Sequence, residues 1–205
     1  MSRERTFLDP GVIIDAALCL IETDGFERIR TRQIAALLGV SVMTLYNYFE
    51  NRDAILKAAI LRGFSLLKEG FPEKIHPYLH DMDKNPLQLF KVVADHLLQF
   101  GLSKPKLFEF LFQADLQPHQ NDPRVAEVYG YSYGFVRDRI LDSSREDEIH
   151  RKVYVYEVLM GGLVRNVLKG RGNMTPELYR ILMSEAYDSL LRPLEHLVQA
   201  GSAQS

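Results

Sequence analysis

Gly39-Val40-Ser41-Val42-Met43-Thr44-Leu45-Tyr46-Asn47-Tyr48-Phe49 (GVSVMTLYNYF) is the stretch whose reading decides the fold. It is too short for a long core helix, and at 3.6 residues per turn Val42, Met43, Tyr46 and Tyr48 cannot all face one interior. The eight residues before it resolve the pattern. Thr31 is placed as an N-cap, Ile34 and Leu38 face inward, and Ala35 stands where two helices cross closely. Gly39 follows in a turn whose positive φ only glycine reaches cheaply. Val40 plugs the corner, Ser41 caps the second helix, and Leu45 and Phe49 return to the core, which is the pattern of a helix-turn-helix.

Once Leu45 and Phe49 point inward, Val42, Met43, Thr44, Tyr46, Asn47 and Tyr48 are sent to other faces. Such a helix is a costly surface but suits a major groove, where methyl groups meet thymine methyls, Asn pairs with the N6/N7 edge of adenine and Tyr hydroxyls reach phosphates. Val42, Met43, Thr44, Tyr46 and Asn47 are therefore the expected base readers. On spacing alone, an ordinary helical hairpin packed against the rest of the protein remains open, as does a surface that docks another protein.

The charge distribution agrees with a polyanion partner. Net charge is −2 over 205 residues, which excludes a uniformly basic nucleic-acid binder. Residues 1–26 hold two basic and five acidic side chains, whereas residues 27–62 hold six basic and three acidic, and no carboxylate occurs from Arg28 to Phe49. Without Lys or Arg in the reading helix, guanine contacts would fall to Arg28, Arg30 or Arg32, and an A·T-leaning half-site is expected. Arg3 and Arg5 form a short arm able to reach a minor groove.

The flanks of the opening stretch carry a resemblance. From Ile13 to Leu56 the chain reads DAAL, then D-G-F, T-R-Q-I-A, L-G-V-S, T-L-Y-N-Y-F and N-R-D-A-I-L. This span resembles the N-terminal DNA-binding domain of the TetR family of bacterial transcriptional regulators. The resemblance implies an all-α chain: a three-helix, homeodomain-like helix-turn-helix domain over residues 1–55, followed by a helical effector-binding and dimerisation domain over 56–205. It implies residues 31–38 as the supporting helix and 42–48 as the recognition helix, with Thr31, Tyr48 and Arg52 on the phosphate backbone. Arg30, Arg32 and Ser41 flank the reading helix and join that phosphate set. A ligand-responsive regulator, expected to be a repressor, would bind a palindromic double-stranded operator as a homodimer and be released by a small hydrophobic effector.

Helix punctuation supports the all-α reading. Asp9-Pro10, Asn85-Pro86, Asp122-Pro123 and Thr175-Pro176 read as helix starts, and Gly25, Gly101 and Gly170 as stops. Asn51 caps a helix to about Glu69, ended by Gly70-Phe71-Pro72, and residues 71–84 read as irregular. A last helix is expected from Glu177 to about Gln199, with Pro193 kinking or ending it.

The segment Ile149–Leu168 is apolar on more than one face, which calls for cover on two sides. Its second side and the last helix are expected to form a two-fold four-helix interface that includes Leu159, Gly162, Leu163, Leu190 and Leu194, with a helix deeply buried inside one monomer as the alternative. The family resemblance suggests an effector pocket among the central helices, for which His96, Phe100, Phe112, Gln113, Tyr133, Tyr156, Glu157 and Met160 are the named candidates, with Arg165 a further polar group in an apolar stretch.

No enzyme motif is present: there is no Walker loop, dinucleotide glycine fingerprint, HExxH or G-x-S-x-G, and no cofactor is expected. His76 and His80, four apart beside Asp81 and Asp83, have metal spacing only if helical, and Pro77 points to a solvated loop, so no metal is expected. No apolar run approaches a membrane span and the N-terminus lacks a signal-peptide pattern, so a cytoplasmic protein is expected. The single cysteine, Cys19, reads as a buried small hydrophobe.

Overall fold

Helix starts in this chain are set by short side chains that take up the orphan N–H groups of a first turn. The computed structural model describes residues 8–81, 83–113 and 132–199. The Asp9 carboxylate accepts from the Gly11 N–H at 2.8 Å, and helix α1 (Pro10–Asp24) runs from there to Gly25. Helix α2 (Thr31–Leu37) is capped one residue earlier than expected, at Arg30 rather than Thr31. The reason is Gln33, whose side-chain oxygen reaches back to accept the Arg30 backbone N–H at 2.8 Å. Gly39 turns the chain at φ 65°. The Ser41 hydroxyl then accepts from the Thr44 N–H at 3.2 Å to start α3 (Val42–Tyr46), and Asn51 does the same for Ala54 at 2.9 Å to start α4 (Arg52–Lys68).

Gly70, at φ 70°, leads into α5 (Phe71–His80), a helix where an irregular segment is expected from sequence. Pro72 falls in the first turn, where its missing N–H is an orphan in any case. Phe71 and Ile75 are buried, and that anchorage outweighs the one bond Pro77 forfeits inside the helix. A turn of 3-10 helix, Pro86–Gln88, leads into α6 (Leu89–Ser103), which passes through the buried Gly101 instead of stopping there. Helix α7 is Pro105–Gln113 and α8 covers residues 132–137; the expected start at Asp122-Pro123 lies outside the described residues. Helix α9 (Glu146–Lys169) ends at Gly170 in the left-handed conformation, as expected. Helix α10 (Pro176–Leu190), capped by Thr175, ends well before Gln199. Pro193 cannot donate to the Ser189 carbonyl, and Arg192–Leu197 winds as 3-10 helix instead. Among the described residues no strand forms, and one isolated antiparallel bridge joins Ile140 and Val198.

The helices gather into two units. The first holds the described residues up to Leu66 and from Lys104 through α7, so it extends beyond the residue-55 boundary expected from sequence. Ile13, Ala17, Ile21, Ile34, Leu45, Ile55 and Phe64 fill its core together with Leu107, Phe108 and Leu111. A Cβ at Gly63 would lie 2.8 Å from a Leu111 methyl carbon, so glycine is what lets α4 and α7 approach. Cys19 is exposed on α1, which corrects the expectation that it is buried. The inward stripe of α1 is Ile13, Ala16, Ala17 and Ile21, and position 19 falls on the opposite side of the helix. The second unit holds Leu67–Ser103 and the described residues from 132 onward, with Phe90, Leu98, Val153, Tyr156, Tyr179 and Tyr187 at its centre. Its buried tyrosines are hydrogen-bonded: Tyr179 donates to the Ala94 carbonyl at 2.9 Å and Tyr156 to that of Met183 at 3.4 Å.

Candidate nucleic-acid interface

Helices α2 and α3 are locked at their crossing before any partner arrives. Ala35 is buried where they meet, Ile34 and Leu45 are fully buried, and the Val40 N–H donates to the Ala35 carbonyl at 3.0 Å. A rigid corner of this kind fixes which side chains of α3 stand clear. Met43 is 71% exposed and Tyr46 40% exposed, and Asn47 is exposed beside them. Val42 and Thr44, named with them as base readers, are half-buried, and the Thr44 hydroxyl lies 2.9 Å from that of Ser41. Met43, Tyr46 and Asn47 are therefore the expected base readers that stand exposed on and beside α3. The Tyr46 hydroxyl reaches Thr31 Oγ1 at 3.5 Å and ties the two helices together at their outer edge.

The residues expected on phosphate divide into two groups. Arg52 donates from Nε to the Ile29 carbonyl at 3.0 Å and from Nη2 to that of Phe26 at 3.4 Å, so it clamps the corner between α1 and α2. Arg30 likewise turns Nη1 onto the carbonyls of Glu27 and Ile29, each at 3.0 Å. The Tyr48 hydroxyl accepts the Leu8 N–H at 3.0 Å and fastens the residue just ahead of α1 to the segment that follows α3. All three therefore also fasten the fold, in addition to the phosphate contacts expected of them. Arg28 and Arg32 are exposed and have no partner among the described residues. Leu37, 53% exposed at the end of α2, was not singled out from sequence. It lies three residues beyond the inward Ile34, a spacing that fits either face. The arm with Arg3 and Arg5 lies outside the described residues.

The candidate effector residues fall in different surroundings. Phe112 belongs to the first unit, with its ring centroid 4.7 Å from that of Phe108 and 5.8 Å from that of Phe64; the Gln113 side chain lies outside the described set. In the second unit Phe100, Tyr156 and Met160 are buried as core. His96 has both ring nitrogens engaged, Nε2 with the Leu67 carbonyl at 2.6 Å and Nδ1 with Lys74 Nζ at 3.0 Å. Because a carbonyl only accepts, Nε2 is the donor in the bond to Leu67. Tyr133 stacks on His150 with centroids 4.6 Å apart, and its phenol is held above the ordinary range, first by burial and then by the charge of Glu146. Burial pushes the Glu157 carboxyl up to about 7.

Of the expected interface residues, Leu159 is exposed while Gly162, Leu163 and Leu190 are partly exposed. Leu194 is 4% exposed and belongs to the chain's own core, a correction that follows from α10 ending before it. Tyr154, Val155, Val158 and Ile181 are further exposed apolar side chains on α9 and α10. His76 and His80 lie on helix α5 rather than in a loop, their ring centroids 4.3 Å apart. Among the described residues no group of three or more His, Cys, Asp or Glu is placed to hold a metal, and no helix is long and apolar enough to cross a membrane.

Residues 13–59 match the family model described as "Bacterial regulatory proteins, tetR family". The chain is 28% identical over 102 residues to the HTH-type transcriptional repressor KstR of Rhodococcus jostii, covering 50% of this chain and 45% of that one. It is 28% identical over 100 residues to the nucleoid occlusion factor SlmA of Salmonella paratyphi B, covering 49% of this chain and 48% of that one. The chain thus matches about half the length of these relatives. Its fold is shared with a TetR transcriptional regulator from a Rhodococcus species at a TM-score of 0.61 and 17% identity, over 89% of this chain and 97% of the other.

Proposed function

We propose, from the match of residues 13–59 to the family of bacterial tetR regulatory proteins, that this chain is a transcriptional regulator, a repressor, that binds a palindromic operator as a homodimer and releases it on taking up a small effector. One observation carries the reading: Met43, Tyr46 and Asn47 project from a three-helix scaffold whose turn is fixed by Gly39 and whose crossing is closed over Ala35. Side chains held this way reach base edges with little ordering cost. Arg28 and Arg32 supply unpaired charge beside them, and phosphate contacts of that kind make binding steeply salt-dependent.

Dimerisation is supported by the apolar surface of α9 and α10. Tyr154, 61% exposed, stands with Val155, Val158 and Leu159 along one side of α9, and Ile181 is exposed on α10. Apolar surface of this extent on adjoining helices is the mark of a covered interface, and a two-fold operator follows from a two-fold dimer. The chemistry assigned is binding, with no reaction.

Selection of bound fragments from genomic DNA tests the proposal. Recovery of a two-fold symmetric sequence whose binding weakens as salt rises is the expected result. Failure to enrich any sequence, or binding indifferent to salt, would overturn it.

A further inference from the structure

Helix α5 carries two imidazoles that take no part in holding the described fold. His76 and His80 are both exposed, and neither ring has a hydrogen bond or an ion pair among the described residues. His96, by contrast, has both ring nitrogens engaged, and His150 stacks on Tyr133. Side chains four apart on a helix are neighbours, and the centroids of these two rings are 4.3 Å apart with their planes inclined by 34°. Metal–nitrogen bonds of about 2.0–2.1 Å place two imidazole centroids about 4.5 Å apart at adjacent corners of a square or octahedron, and a little over about 5 Å apart at the tetrahedral angle. The rings of α5 thus stand near the spacing of the first geometry and closer than the second requires. The sequence argues against a metal here because Pro77 points to a loop; α5 is helical through His80, so the spacing condition is met. Buried Phe71 and Ile75 anchor the other side of the helix, so the backbone that carries the pair is set without an ion. The surrounding charge also suits a cation. Glu73 lies one turn before His76 on the same stripe, and Asp81 and Asp83 follow His80. The neighbouring ammonium groups are turned elsewhere: Lys74 Nζ lies 3.0 Å from His96 Nδ1, and Lys84 Nζ lies 4.9 Å from the centroid of the Tyr78 ring.

We propose that His76 and His80 form a two-imidazole chelate on the surface of α5 for a divalent late first-row metal ion, Cu(II) ahead of Ni(II). Among the described residues no carboxylate completes a group of three with them, so water fills the remaining positions. Cu(II) leads because nitrogen ligands follow the general order of divalent affinities, and both ions accept nitrogens at right angles. Zn(II) binds more weakly, since its tetrahedral sites set the rings farther apart and draw more ligands from the protein. Mg(II) and Ca(II) select oxygen and are not held. The site lies in the second unit, whereas Met43, Tyr46 and Asn47 belong to the first, and it does not depend on the DNA reading.

The test titrates the untagged full chain with Cu(II), Ni(II), Zn(II) and Mg(II) chlorides in a buffer that does not chelate, read by calorimetry and thermal melting, and for Cu(II) by electron paramagnetic resonance. One equivalent of Cu(II) is expected to bind with a spectrum split by imidazole nitrogens, more tightly than Ni(II) or Zn(II), and Mg(II) should give no response. Saturating Ni(II) should raise the melting temperature by several degrees, because unfolding separates the two rings. His76→Ala and His80→Ala, both at exposed positions, should fold normally, weaken binding roughly tenfold or more and cancel that rise. Cys19→Ser removes the exposed thiol as a competing ligand and should leave Ni(II) binding unchanged. Undiminished binding by either histidine variant, loss of binding in Cys19→Ser, tighter binding of Zn(II) than of Cu(II), or an adventitious ion only, bound weakly and without fixed stoichiometry, would overturn the proposal.

Discussion

On the proposed reading, Asn47 and Arg32 would make two kinds of DNA contact, which single substitutions separate. Asn47 is exposed at the end of α3 with a donor and an acceptor. Its replacement by Ala is expected to lose about 1–3 kcal/mol of discrimination at one base position, measured by competition between operator variants. Arg32→Ala should instead weaken every sequence alike and reduce the salt slope by about one charge. Arg52→Ala behaves differently, because two carbonyls of the α1–α2 corner lose their donor. We expect it to unfold about 1–3 kcal/mol more easily in urea titration, so any loss of DNA binding must be read on protein shown to be folded. Glu157 gives a prediction in pH. Its folded carboxyl titrates at about 7 because of burial, above its unfolded value of about 4.3. The folded state therefore binds more protons between those values, and stability falls as pH rises through that window. Glu157→Gln should be more stable than wild type by roughly 1–3 kcal/mol at pH 8 and nearly equal to it at pH 4. Identical pH dependence in the two proteins would mean that the carboxyl is hydrated and the burial argument wrong.

At the scale of elements, the turn between α2 and α3 concentrates the demand on sequence. Gly39 holds φ 65° with nothing within 4 Å of an added Cβ, so the cost of a side chain there is conformational rather than steric. Gly39→Ala is expected to destabilise by about 1 kcal/mol in thermal unfolding, and an unchanged midpoint would show that the turn relaxes freely. Helix α5 teaches the opposite lesson. Two prolines, two histidines and an apolar content confined to a few positions argue for a loop over residues 71–84, yet Phe71 and Ile75 bury and hold the segment helical. Propensity was outweighed by packing, a term that local sequence does not contain. Helix α10 shows the reverse balance, since Pro193 stops the α-helix whatever the hydrophobic pattern beyond it invites.

For the whole molecule, the exposed apolar side of α9 predicts self-association. Val158→Asp, placed where the side chain is 55% exposed, should leave the monomer folded and shift a dimer toward monomer in sedimentation. Binding to a two-half-site operator should fall with it, while a dimer unaffected by this charge would place the interface elsewhere. The sequence by itself determined the all-helical character, the helix-turn-helix from Thr31 to Phe49, most helix starts and the outward direction of Met43, Tyr46 and Asn47. These are local properties, written in caps, glycine turns and the 3.6-residue period, and they are legible because each depends on residues a few positions apart. Only the tertiary structure decided that Arg52, Arg30 and Tyr48 serve as fasteners, that Leu194 and Tyr156 belong to the core, and that Cys19 is exposed. Each of those depends on what another stretch of chain, often tens of residues away, brings to the same point in space. A hydrogen bond from Arg52 to Ile29 spans 23 residues, and no periodicity within either segment encodes it.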